Sequence, residues 1–262
     1  MPTVRSFGAP PPAARETRLS DGAAWQVPEE TPVAFVYNSR NYAVMLATPL
    51  DLADFAVGFS LTERVVDAAE EIDAIDIHAS ERGVEFHLSI DAARLERFDV
   101  RQQRRNIVGR TGCGVCGLEN AETFFEALPR VGEQKQRVGA DALMRALKEL
   151  PWRQPLNERT RTVHAAAWAG LDGAVRLVRE DVGRHNALDK LLGALALAGA
   201  DMSEGFVMMS SRCSYEIIEK AARRGVRAVA AISAPTAFAI RKAEEANVGL
   251  YARAGAGFVE IA

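Results

Sequence analysis

"GFVMMSSRCSYEIIEKAARRGVRAVAAISAPTAFAIRKAEEANVGLYAR", Gly205–Arg253, reads as strand, helix, strand, helix, strand. "GFVMMS", "VRAVAAIS" and "VGLYAR" are short apolar runs, while "SYEIIEKAARRG" and "PTAFAIRKAEEA" between them repeat apolar residues at intervals of three and four. Strands separated by helices of this length require crossover connections, which implies a largely parallel sheet covered on both faces. Upstream, the strand "AVRLVRE" and the helix "HNALDKLLGALALA" extend the alternation. The expected class is α/β.

Ahead of this region the periods change. "PVAFVYNSRNYAVML" predicts a hairpin turning at Asn38 to Asn41. "TPLDLADFAVGFSLTER" predicts a helix with Thr48 or Asp51 near its cap, Pro49 in its first turn and a buried face of Leu52, Phe55, Ala56 and Phe59. "EIDAIDIHA" and "VEFHLSI" alternate as strands, and "DAARLERF", "LENAETFFEAL" and "ADALMRALKEL" have helical periods. The two prolines of "PWRQPLNERT" interrupt both periods and mark a domain junction, while "APPPAA" near the start buries too little to order a chain. The expected division is a flexible leader without a fold over 1–30, a smaller α+β domain over 31–150 and the α/β domain over 151–262.

Composition narrows the function classes. With 262 residues, 48% of them hydrophobic, the chain can fill real cores, and a net charge of −3 supplies no global attraction to nucleic acid or anionic membrane. No apolar run approaches the ~20 residues of a membrane span, and a cytoplasmic location is expected. Three cysteines are too few, and odd in number, for a disulfide framework.

Two of those cysteines stand in "TGCGVCGLEN", Thr111 to Asn120. Cys-x-x-Cys suits a metal clip, disulfide exchange or a transient sulfur carrier. A structural zinc site wants a second ligand pair, which the sequence does not supply nearby, and thioredoxin-like exchange does not want glycine beside every thiol. A carrier on a pliable loop fits the glycines better. Arg101, Arg104, Arg105 and Arg110 precede the loop, where they favour the thiolate and an anionic substrate.

Strand-to-helix turns of such a sheet are where ligands bind. Arg184 and His185 sit on one turn, with Asp181, Asn186 and Asp189 as either ligand groups or ties within it; Ser211 and Thr236 sit on two more, as either caps or ligands. Cys213 reads as a small buried residue rather than a second carrier.

"TGCGVCG", "REDVGRHNALDKLLG", "SSRCSYEIIEKAA" and "ISAPTAFAI" together strongly resemble the FdhD family, accessory proteins of formate dehydrogenase described as sulfur carriers. The resemblance runs from Thr31 to Arg253. It implies a C-terminal three-layer α/β/α domain of cytidine-deaminase-like type and a homodimer. It implies that sulfur passes from a cysteine desulfurase to the molybdenum bis-molybdopterin guanine dinucleotide cofactor of formate dehydrogenase, as cargo, with GDP as a partial mimic. The family's persulfide carrier maps onto Cys113 and its helper onto Cys116, and no metal is required. The family's guanine dinucleotide segment corresponds to Tyr251, Ala252, Arg253, Ala254, Gly255 and Ala256, continued by a shortened "GFVEIA". A family stretch that reads Thr-Gly-Gly-x-His carries Arg161 and Thr162 in place of its glycines, ahead of His164. The second class of function is a non-catalytic chaperone that binds the cofactor or the dehydrogenase.

Overall fold

The computed structural model describes residues 1–95, 126–132 and 137–262. In chain order the elements are β1 (Thr3–Phe7), β2 (Ala14–Arg18), β3 (Ala24–Pro28), β4 (Thr31–Tyr37), β5 (Arg40–Ala47), α1 (Leu52–Thr62), β6 (Ile72–Ser80), β7 (Gly83–Ile90), α2 (Ala140–Glu149), α3 (Pro155–Thr160), β8 (His164–Gly170), β9 (Val175–Asp181), α4 (Arg184–Leu197), β10 (Gly205–Met209), α5 (Tyr215–Arg223), β11 (Ala228–Ala231), α6 (Ala237–Ala246), β12 (Gly249–Ala254) and β13 (Gly257–Glu260).

The first sheet has the order β1-β6-β7-β4-β5. Its central hairpin turns on Asn38 and Ser39, tighter than the sequence suggests: Tyr37 pairs with Arg40, and both turn residues have positive φ, as a two-residue turn demands. The alternation in β7 turns Val84, Phe86, Leu88 and Ile90 inward against α1. Phe35 centres this core, with the rings of Phe59, Phe86 and Phe55 at 4.0, 5.0 and 5.3 Å. Asp51, at the α1 N-terminus, adopts φ 52 and caps nothing with its side chain, and Thr48 is turned into the interior instead.

The second sheet, β13-β12-β11-β10-β8-β9, departs from the parallel expectation. β10, β11 and β12 are parallel, but β8 and β9 form an antiparallel hairpin at one side and β13 an antiparallel edge at the other. One face packs Trp168, Val207, Met209 and Val229 against α4, α5 and α6. The other packs Phe206, Met208 and Ala230 against Leu143 and Ala146 of α2. The result is a three-layer α/β/α arrangement.

Two boundaries need correction. Residues 1–30 hold three strands rather than lacking a fold: β1 pairs with β6, tied by Arg5 to Asp76 (2.6 Å), and β2 and β3 form a hairpin that seats Ala14 beside Leu156 and Val163. The order of β1, and the seat of the β2–β3 hairpin, come from partners distant in sequence, which a local period cannot report. The junction also lies earlier than residue 151, because α2 packs on the second sheet, and 128–131 already hydrogen-bond along α6, through Val131 N to Ala246 O (2.8 Å). "PWRQPLNERT" folds into a 3-10 turn and α3.

Between the two sheets, α1 and α4 cross with no room for side chains. A Cβ on Gly58 would stand 1.7 Å from the Asp189 carbonyl oxygen, and one on Gly193 would stand 1.9 Å from that of Asp54. Both helices are therefore buried on nearly every side, and their sequences are correspondingly apolar around the circumference. Gly58→Ala is expected to destabilise the protein by about 3 kcal/mol or more in urea unfolding, because the obstructing atoms are backbone. Gly257→Ala, which meets nothing within 4 Å, should leave the midpoint nearly unchanged.

Candidate ligand site at the sheet edge

The C-terminal ends of β9, β10, β11 and β12 and the start of β8 lie along one edge of the second sheet, as their pairing directions require. All the turns singled out in the sequence are therefore on that edge. The Ser210 hydroxyl accepts from Ala165 N (2.8 Å), joining the β8 start to the β10 turn. Thr236 N donates to Cys213 O (3.0 Å) beside a bridge between Cys213 and Pro235, joining the next two turns.

In the turn after β9, the carboxylates tie rather than bind. Asp181 accepts from Lys190 Nζ (2.6 Å), Thr48 N (2.9 Å), Gly183 N (2.8 Å) and Asn186 Nδ2 (2.9 Å). Lys190 also donates to Thr48 O (2.8 Å), and Asn186 to Leu46 O (2.8 Å), so the turn is bolted to the β5–α1 junction. Asp189 accepts from Lys220 Nζ (2.8 Å) and Thr62 Oγ1 (2.7 Å). Glu180 caps α3 from a distance, accepting from Leu156 N (2.9 Å) and Asn157 N (2.8 Å). Breaking any of these would leave a buried charge or donor uncompensated.

With those groups engaged, Arg184 and His185 begin α4 at the edge. Arg184 Nε and His185 Nε2 are buried and make no hydrogen bond; His185 is 8% exposed, and its Nε2 stands 3.7 Å from Glu216 Oε2. Burial, then the Arg184 charge, hold the nearby His164 imidazole below its usual range, so it stays neutral. Burial works against the Glu216 carboxylate, but the His185 and Ser214 side chains outweigh it and draw the group down to about 2. The unspent Arg184 Nε donor beside a neutral histidine suits an anionic oxygen.

The remaining expected residues divide. The Ser211 hydroxyl is buried and donates to Arg212 O (2.9 Å), while Thr236 caps α6, accepting from Ala239 N (3.2 Å). Tyr251 and Ala252 are buried in β12, whereas Arg253, Ala254, Gly255 and Ala256 are exposed at the β12–β13 turn, where Gly255 takes φ 59. Burial pushes the Cys213 thiol up to about 12, which fits an inert packed residue. Cys113 and Cys116, with the arginines before them and the expected helix "LENAETFFEAL" up to residue 125, lie outside the described residues. Glu216 was not singled out in the sequence; its only signal there is its place in the first turn of a helix that starts at the edge. Among the described residues no group of three or more His, Cys, Asp or Glu is arranged to hold a metal ion, and no helix is long and apolar enough to cross a membrane. A separate cleft of about 440 Å³, lined by Leu61, Arg64, Leu128, Arg223 and Arg224, lies at the opposite end of α5 and includes none of the expected site.

Residues 28–261 match the family model described as FdhD/NarQ family. The chain belongs to the FdhD/NarQ family. It is 48% identical over 236 residues to the sulfur carrier protein FdhD of Cupriavidus necator, covering 89% of this chain and 81% of that protein. It is 50% identical over 224 residues to the protein of the same name from Xanthomonas euvesicatoria pv. vesicatoria, covering 86% and 79%. The fold is similar to a crystal structure described as a formate dehydrogenase accessory protein from Desulfotalea psychrophila, with a TM-score of 0.68, 21% identity and coverage of 95% and 94% of the two chains.

The Glu216 pair gives a pH signature. Its carboxyl titrates near 4.5 when unfolded and near 2 when folded, so its contribution is complete above about pH 4.5 and is lost as pH falls toward 2. Glu216→Gln should remove up to about 3 kcal/mol at pH 6 and flatten the acid limb of stability between pH 5 and 2, as read by urea midpoints.

Proposed function

We propose that this FdhD/NarQ protein carries sulfur as a persulfide on Cys113, with Cys116 assisting its release. The sulfur comes from a cysteine desulfurase and goes to the molybdenum bis-molybdopterin guanine dinucleotide of a formate dehydrogenase. The observation that carries the reading is identity near one half, over more than four-fifths of the chain, to proteins named sulfur carrier. It is supported by the Cys-x-x-Cys pair and by a sheet edge where the buried Arg184 Nε lacks a hydrogen-bond partner.

The chemistry asks little of the fold beyond positioning. Cys113 as thiolate attacks the outer sulfur of the donor persulfide; the S–S bond breaks and the desulfurase cysteine leaves as its thiolate. For release, the Cys116 thiolate attacks the Cys113 sulfur and expels hydrosulfide toward the cargo, leaving a disulfide that a small thiol reductant reopens. On this reading the diphosphate of the cargo lies at the turn carrying Arg184 and His185, next to the helix N-termini, where free N–H groups and a forked guanidinium favour phosphate oxygens. GDP stands in for that end of the cargo, and a homodimer would let one protomer's thiols serve its partner's edge.

Incubation with a cysteine desulfurase and cysteine should add roughly 32 Da, one sulfur atom, to the intact mass. Cys113→Ala should abolish the addition, whereas Cys116→Ala should still load and release sulfur slowly. Full loading of the Cys113→Ala protein would reverse the two roles. No loading of the wild type would leave the chaperone reading.

A further inference from the structure

We infer that Tyr215, Phe238 and Arg241 form a stacking platform for a planar heteroaromatic ring at the sheet edge. The inference rests on reading that edge as a nucleotide diphosphate site, and goes beyond it by naming what reads the ring. Tyr215 is the first residue of α5 and Phe238 the second of α6. The Cys213–Pro235 bridge and the Thr236 N to Cys213 O hydrogen bond hold the two helix starts side by side. The two rings consequently stack, with centroids 4.8 Å apart and planes inclined by 20°. Arg241 follows Phe238 by three residues, so it shares that helix face, and its Cζ stands 5.5 Å from the centre of the Phe238 ring. Arg241 is exposed, and among the described residues its guanidinium has no carboxylate partner.

Two stacked rings with an exposed guanidinium beside them are groups by which proteins hold bases without reading their edges. Position supplies the second argument. Glu216, the neighbour of Tyr215, stands 3.7 Å from His185 Nε2, so the platform adjoins the turn that carries Arg184 and His185. A ligand with its diphosphate at α4 and its ring toward α6 would span the turns in the order in which the sheet sets them. Phe238 is half-buried against the second core, which fixes the ring and lowers the entropy cost of stacking on it.

Calorimetry with GDP and with inorganic diphosphate tests this on the wild type, Arg241→Ala and Phe238→Leu. GDP should bind the wild type more tightly than diphosphate does. Each variant should weaken GDP roughly threefold to tenfold, the range for a cation–π or base-stacking contact, and leave diphosphate affinity unchanged. Thermal midpoints should show Arg241→Ala folded as the wild type; if Phe238→Leu is destabilised, Arg241→Ala decides alone. Wild-type GDP affinity in the folded variants overturns the platform and leaves the diphosphate site standing. GDP binding no tighter than diphosphate overturns ring recognition, and failure of both ligands to bind removes the edge site and the platform together.

Discussion

The crossing of α1 over α4 at Gly58 and Gly193 sets the position of everything else. Backbone meets backbone there, so the two sheets stand at a fixed distance with two helices between them. Burying helices on every side removes water from their polar groups, and the protein answers with charge pairs at both ends of the crossing. Lys190 and Asp181 hold one end, and Lys220, Asp189 and Thr62 the other. A buried pair is weak evidence for added stability, because desolvation offsets much of the attraction, but removing one partner is expensive. These groups therefore specify how the halves dock, as hydrophobic contact alone would not.

That docking also shapes the sheet edge proposed to hold a ligand. The turn after β9 spends Asp181 and Asn186 on the β5–α1 junction, which leaves Arg184 held in place with its Nε donor unspent. Rigid support beneath and incompletely paired groups above are what a binding site requires. The chain that follows the cysteine segment enters the described structure against α6, through Lys242 Nζ to Glu126 O (2.9 Å) and Leu128 N to Glu245 Oε1 (3.1 Å).

The sequence was legible where its periods were local. The β10–β12 alternation, the alternating β6–β7 pair and the α1 face are read directly from spacing. β8 was not, because "HAAAWAG" is alanine-rich and imitates a helix, and β13 has only four residues. Both are antiparallel, so missing them inflated the parallel expectation. Lys190 and Lys220 look like solvated helix positions yet are 0% and 9% exposed, since only the docked partner helix reveals their burial. The contacts along the sheet edge divide in the same way. Arg184 and His185 can be placed from the sequence on a strand-to-helix turn, whereas Glu216 and Phe238 meet their neighbours through lateral contacts between turns that are distant in sequence.

Amide hydrogen exchange with and without GDP tests most directly whether this edge is one ligand site. The account expects slowed exchange in 182–186, 210–216 and 233–238 together, with the cleft around 64–67 and 127–129 unchanged. Protection confined to that cleft, or to a single turn with the other two unaffected, would contradict it.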